Sequence, residues 1–201
     1  MSTRTRLLLV FGGRSSEHEI SLRSAQSVRT ALDRDRFAPI LLGIRRDGIW
    51  CTGSPEATLA DVIASGEIVH DLHSLHPDLV LPVLHGPYGE DGTFQGLLEV
   101  LGMPYVGSGV LASALCMDKA VLKQFLRAQT PTIPVVPWVE IFGPELDEPT
   151  KTQAWALAVR TQLGFPCFVK PANQGSSIGI SRVENADELM PALKLAARYD
   201  S

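Results

Sequence analysis

The sequence predicts an α/β chain: an N-terminal domain built on a parallel sheet, followed by a segment of α+β character. Three observations carry this. Short apolar runs of strand length alternate with amphipathic helical stretches up to about residue 107. Beyond that point two helical stretches follow each other directly, and two short β-prone arms flank a polar loop. The strands of the first half run into Gly-Gly and His-Gly loops, the type of segment that binds ligands at the carboxyl ends of parallel strands.

Residues 6–11 are an apolar run closed by Gly12-Gly13, the pattern of a buried strand. A helix is predicted next. Ser16-x-x-Glu19 reads as its capping box, and Ile20, Ala25, Val28, Ala31 and Leu32 as its apolar stripe. Residues 37–44 are a strand, and Asp47-Gly48 marks a hairpin turn into 49–51. Residues 53–76 are less regular, with one helix over 55–64. A strand over 78–84 runs into His85-Gly86-Pro87-Tyr88-Gly89-Glu90-Asp91-Gly92, then a helix over 94–101 and a short strand over 104–106. The alternation implies helices on both faces of the sheet.

Helices are then expected over 110–116 and 118–128, with Asp118 as N-cap of the second. Pro131, Pro134 and Pro137 exclude a helix from the next stretch. Residues 135–142 read as extended, and 143–152, rich in acids and proline, as a surface loop. A helix over 153–163 stops at Gly164, with Pro166 beyond. Two β-prone arms, 168–170 and 178–183, precede a helix over 186–198. The domain boundary is placed near 108–117, giving domains of 1–112 and 113–201.

The 201 residues allow one large domain or two small ones. With 45% hydrophobic and 20% charged residues, the chain can bury a core and is not of disordered composition. A net charge of −4 gives no reason to expect nucleic acid or an acidic membrane as partner. Cys51, Cys116 and Cys167 lie far apart, as isolated thiols in a reducing cytosol would. The run 7–11 is too short for a signal segment, and no run approaches the ~18 apolar residues of a membrane span. A soluble cytoplasmic protein is expected.

Three stretches carry the candidate chemistry. In 12–19, Glu17 lies in the first helical turn, where the helix dipole favours a carboxylate. It is either a helix-starting acid or a partner for an amine across a cleft. In 85–92, His85 follows a strand and precedes glycine, a position that suits a ligand contact as well as a structural histidine. Glu90 and Asp91 read more simply as capping groups than as metal ligands. The third stretch is Lys170-Pro171-Ala172-Asn173-Gln174-Gly175-Ser176-Ser177. Gly175 is expected to let the backbone turn, with Ser176 and Ser177 adding hydroxyls beside exposed N–H groups. Such a loop can wrap an anion with its amides, and Lys170 can reach a phosphate. The same residues also fit a plain hairpin with a polar loop. His70, His73 and His76 recur every three residues, but no acid or cysteine pattern makes them a metal site.

Taken together these stretches resemble the D-alanine–D-alanine ligases of the ATP-grasp superfamily. The resemblance runs through Phe11-Gly12-Gly13-Arg14-Ser15-Ser16-Glu17-His18-Glu19-Ile20-Ser21 and His85 to Gly96. It continues in Tyr105-Val106-Gly107-Ser108-Gly109, in Met117-Asp118-Lys119, and in Lys170 to Gly179, in order along nearly the whole chain. Phe94 stands where the family more often has an aliphatic residue, and Thr130-Pro131 replaces a more usual Gly-containing helix exit. Neither is at a ligand-binding position. The resemblance implies a Rossmann-like pre-ATP-grasp domain followed by the first part of an ATP-grasp domain. It implies ATP-dependent ligation of two D-alanines through an acyl phosphate, for peptidoglycan synthesis.

By the same resemblance Glu17 holds the ammonium of the first D-alanine, and His85 lies near its carboxylate. Lys119 and Lys170 contact ATP phosphates. Gly175, Ser176 and Ser177 belong to the loop that closes over them, with Ser176 in a hydrogen-bond network linking Glu17 to a tyrosine. That tyrosine, the Mg²⁺-binding acids and the oxyanion-stabilising arginine are expected beyond Ser201. The chain therefore reads as the N-terminal part of a ligase, with D-alanine and ATP as partners, Mg²⁺ as companion ion, and a homodimer left open. Three alternatives stay open: a related carboxylate–amine or D-lactate ligase, a non-catalytic binding module, and a dinucleotide-binding domain. G-x-G-x-x-G and the P-loop pattern are both absent.

Overall fold

The computed structural model describes residues 4–129 and 133–200. The chain divides into two compact units, Met1–Ala114 and Leu115–Ser201. No helix among the described residues is long and apolar enough to cross a membrane.

The first unit runs β1 (Thr5–Gly12), α1 (His18–Ala31), β2 (Phe37–Ile44), β3 (Trp50–Gly53), α2 (Leu59–Ser65), β4 (Glu67–Ile68), β5 (Leu79–Pro82) and α3 (Thr93–Val100). The sheet order is β4-β3-β2-β1-β5. Strands β2, β1 and β5 are parallel, and β3 and β4 extend the sheet antiparallel through the Asp47-Gly48 turn. Central β1 shows why the fold is two-faced. Its side chains alternate, so Leu8 and Val10 join Phe94 and Leu98 of α3, while Leu9 and Phe11 join Ala25 of α1 and Val62 of α2. All four β1 residues are fully buried. Each such side chain stabilises the fold by roughly 1.5–3 kcal/mol.

Several expectations need correction. The capping box does not form: α1 begins at His18, with Glu17 at the N-cap and no side-chain cap bond. Ser15 substitutes, its Oγ accepting from Glu17 N at 3.2 Å. The expected stripe is also turned, since Ile20 and Ala31 are exposed. The inward face is His18, Ser21, Ala25 and Val28. Hydrogen bonds of Ser21 to the sheet fix this face, so apolar periodicity alone misplaces it. Residues 104–106 make only a single parallel bridge, Tyr105 to Val80. The 55–64 helix is α2, starting later because Thr58 caps it by accepting from Asp61 N.

Helix α4 (Val110–Met117) contains the division, and the second unit continues with α5 (Lys119–Gln129), α6 (Pro149–Gln162), β6 (Cys167–Val169), β7 (Ser181–Val183) and α7 (Ala186–Ala196). Asp118 is the N-cap expected for α5: its Oδ1 accepts from Ala120 N and Val121 N, both at 2.9 Å. Pro131 lies outside the described residues. Pro134 and Pro137 sit in chain that is neither helix nor strand. The supposed loop over 143–152 is instead a 3-10 turn, Gly143–Asp147, leading into α6, which opens on Pro149 because proline needs no N–H partner in the first turn. Strands β6 and β7 pair antiparallel. The ribbon does not stand alone, for Val169 and Val183 bury against Leu189, Ala192 and Ala196 of α7 and Val159 of α6.

Candidate functional site

Because β1 and β5 are adjacent and parallel, the loops after them share one sheet edge. Ser21 ties them together. Its Oγ accepts from Gly12 N at 2.8 Å and donates to Val83 O. Ser15 Oγ donates to His85 O at 2.7 Å. Ser24 Oγ and His85 Nε2 share a hydrogen bond of 2.9 Å. Ser15 and Ser24 thus hold His85, and Ser21 holds the chain just before it.

Glu17 is 4% exposed and His18 3%. His18 Nδ1 donates to Gly13 O at 2.8 Å, which shapes the Gly-Gly turn. The Glu17 carboxylate lies directly against Gly86, where a Cβ would collide with Oε2. Gly86 has φ +70°, a left-handed conformation that favours glycine. The bare backbone of the second loop therefore admits the carboxylate of the first. Glu90 and Asp91 organise the loop, although α3 has Gly92 at its N-cap and no side-chain cap bond. Glu90 Oε2 accepts from Gly86 N at 2.7 Å, and its Oε1 lies 3.6 Å from His85 Nδ1. Asp91 accepts from Tyr88 N and Thr93 N. A cleft of about 350 Å³ lies beside this edge, lined by residues including Arg14, Trp50, His85 and Tyr88.

The second unit presents the other candidate site. A turn does start at Gly175, whose carbonyl accepts from Ile178 N at 3.0 Å, and its left-handed residues follow. Ser176 (φ 47°), Ser177 (φ 63°) and Gly179 (φ 68°) are left-handed. Each left-handed serine costs about 1–3 kcal/mol, a strain that clusters at ligand-binding loops. The ends of the loop are pinned. Lys119 Nζ donates to Ala172 O and Gln174 O, and Asn173 N donates to Asp200 Oδ2 at 2.7 Å. Gln174 Nε2 donates to Tyr199 O at 3.0 Å. Lys119 thus acts as a clamp on loop carbonyls. Lys170 follows β6 and is exposed, beside the Phe168 ring.

In the first unit Glu17 lies against Gly86 of the loop that begins at His85; in the second Lys119 is bonded to the loop that contains Gly175, Ser176 and Ser177, and Lys170 precedes that loop in the chain. Sequence reasoning missed Ser15, Ser21, Ser24 and the Asn173–Asp200 pair. A signal for Ser21 existed: it lies three residues after His18 and four before Ala25, so a helix would place it on the inward face. Among the described residues no three His, Cys, Asp or Glu gather to hold a metal ion.

Residues 6–108 match the family model described as D-ala D-ala ligase N-terminus, and residues 128–201 the model described as D-ala D-ala ligase C-terminus. The chain is 42% identical over 216 residues to the D-alanine--D-alanine ligase of Thermoanaerobacter sp. (strain X514), covering 98% of this chain and 58% of that protein. It is 43% identical over 226 residues to that of Mycolicibacterium smegmatis, again covering 98% and 58%. Among solved structures it is similar to the D-alanine-D-alanine ligase from Coxiella burnetii, with TM-score 0.85, 33% identity, and 98% of this chain and 61% of that one covered. The VanG D-Ala:D-Ser ligase from Enterococcus faecalis gives TM-score 0.78 and 32% identity with the same coverage. The chain spans about 58% of the length of the first two relatives. With a family model matched over 6–108, just over half its length, the chain belongs to the D-alanine–D-alanine ligase family.

Proposed function

We propose that this chain contributes the first substrate site and the phosphate loop of an ATP-dependent ligase that joins two D-alanines for peptidoglycan synthesis in the cytoplasm. Its domains correspond to 1–112, which binds the first D-alanine, and 113–201, the start of the ATP-grasp domain. The observation that carries the reading is the buried Glu17 carboxylate set against Gly86 where two strand-end loops meet. A carboxylate there pairs with an amino acid's ammonium, and His85 stands beside it to face the carboxylate end.

The substrate carboxylate attacks the γ-phosphorus of ATP, and ADP leaves. The amine of the second D-alanine then attacks the acyl carbon, phosphate leaves, and the amine loses a proton. Negative charge grows in both steps, so cations and aimed N–H donors are the tools required. Lys119 and Lys170 supply the cations; Gly175, Ser176 and Ser177 supply N–H and O–H donors. Closure of that loop would also shield the acyl phosphate from water. Mg²⁺ is the companion of ATP in this family. The described residues gather no acid cluster for it.

The test is to supply D-alanine and ATP and follow ADP, phosphate and dipeptide. This chain joined to the remaining C-terminal part of a relative is expected to form D-alanyl-D-alanine, and the 201-residue chain alone to form none. ATP hydrolysis that ignores D-alanine would contradict the reading. Similarity to a D-Ala:D-Ser ligase at 32% identity makes D-serine the competing acceptor. Running D-serine beside D-alanine separates the two.

A further inference from the structure

Lys123, Arg127 and Lys170 are among the cations of the second unit that have no carboxylate partner among the described residues. Two of them lie against one aromatic side chain. Lys123 Nζ lies 5.4 Å from the Trp138 ring centre and the Arg127 guanidinium 5.3 Å from it. Such contacts hold an ammonium in place without neutralising it. Lys119, Lys123 and Arg127 recur every four residues on α5, so they form one stripe. Burial pushes the Lys123 ammonium below its ordinary value, and the charge of nearby Lys170 adds to this. Like charges held this close repel, and no acid among the described residues pairs with either to relieve them. An anion would.

We propose that Lys123, positioned by Trp138, is a third phosphate-contacting lysine that reaches the nucleotide between α5 and the end of β6. The inference rests on the nucleotide reading of this unit and deepens it. Lys119 already donates to two loop carbonyls, which leaves part of the task of meeting a polyphosphate to other cations. Lys123 is one helical turn further along, half-buried, and within the influence of Lys170 at the strand end. Arg127, another turn on and exposed, packs against the Trp138 ring system and steadies it. The ligand chemistry is a nucleotide's polyphosphate, and an isolated nucleoside would not need this lysine.

That contrast sets the experiment. Calorimetric titration of the 201-residue chain with ADP and with adenosine gives the phosphate-dependent part of the affinity. The original chain should bind ADP more tightly than adenosine. Lys123→Met should lose about tenfold or more of that preference, as expected for a hydrogen bond to a charged group. Its adenosine affinity and thermal midpoint should stay unchanged, and Lys123→Arg should restore most of the preference. Retention of the full ADP preference in Lys123→Met overturns the inference while leaving the nucleotide reading intact. An equal fall in adenosine and ADP affinity also overturns it, by making Lys123 a packing residue. If the original chain shows no preference for ADP, the nucleotide reading fails and the inference with it.

Discussion

Gly86→Ala is expected to destabilise the Met1–Ala114 unit by about 2–5 kcal/mol and to remove D-alanine binding. Two effects add. At φ +70° any residue with a Cβ bears left-handed strain of about 1–2 kcal/mol. The new methyl would also land on Glu17 Oε2, so the buried carboxylate or the loop must move, an overpacking cost of roughly 1–3 kcal/mol. Gly102 provides the control. It has φ +65°, yet no atom lies within 4 Å of the place its methyl would take, so Gly102→Ala should show the strain alone. Urea midpoints for the two variants test the difference. Equal losses would mean that Glu17 gives way freely and that the close approach has no energetic weight.

Glu17→Gln is the second large effect. The amide keeps the shape of the side chain and removes its charge. The ion pair to the D-alanine ammonium is worth roughly 1.5–3 kcal/mol when hydrogen-bonded, so affinity should fall about 10- to 150-fold. In a ligase containing this segment, the loss should fall mainly on the first D-alanine, read from the two Michaelis constants. Unchanged kinetics for both alanines would reduce Glu17 to the acid that starts α1.

Much of this was legible in the sequence because the relevant signals are local. The strand of 6–11 is a continuous apolar run, and the hairpin at Asp47-Gly48 has its turn chemistry in two residues. The pairing of Glu17 with the His85 loop followed from strand ends in a parallel sheet, and β1 beside β5 realises it. The features that were not legible depend on tertiary hydrogen bonds. Ser21 turns α1 by bonding Gly12 and Val83, which belong to different chain segments, so the stripe through Ile20 and Ala31 was misplaced. The left-handed backbone of Ser176 and Ser177 lies in a loop pinned at Asn173 and Gln174 by Asp200 and Tyr199, groups distant in the chain. Composition gives no hint of such pins. The Lys123–Trp138 contact joins a helix to an extended segment, and no motif marks it.

The most direct test of the two-site account is amide-resonance mapping of the 201-residue chain during separate titrations with D-alanine and ADP. D-alanine should move resonances in 12–21 and 85–92, more strongly than L-alanine does. ADP should move those of 119–123 and 170–180. D-alanine responses confined to 170–180, or ADP responses confined to the sheet edge of the first unit, would contradict the assignment of Glu17 and His85 to the amino acid and of Lys119, Lys170 and the serine loop to the nucleotide.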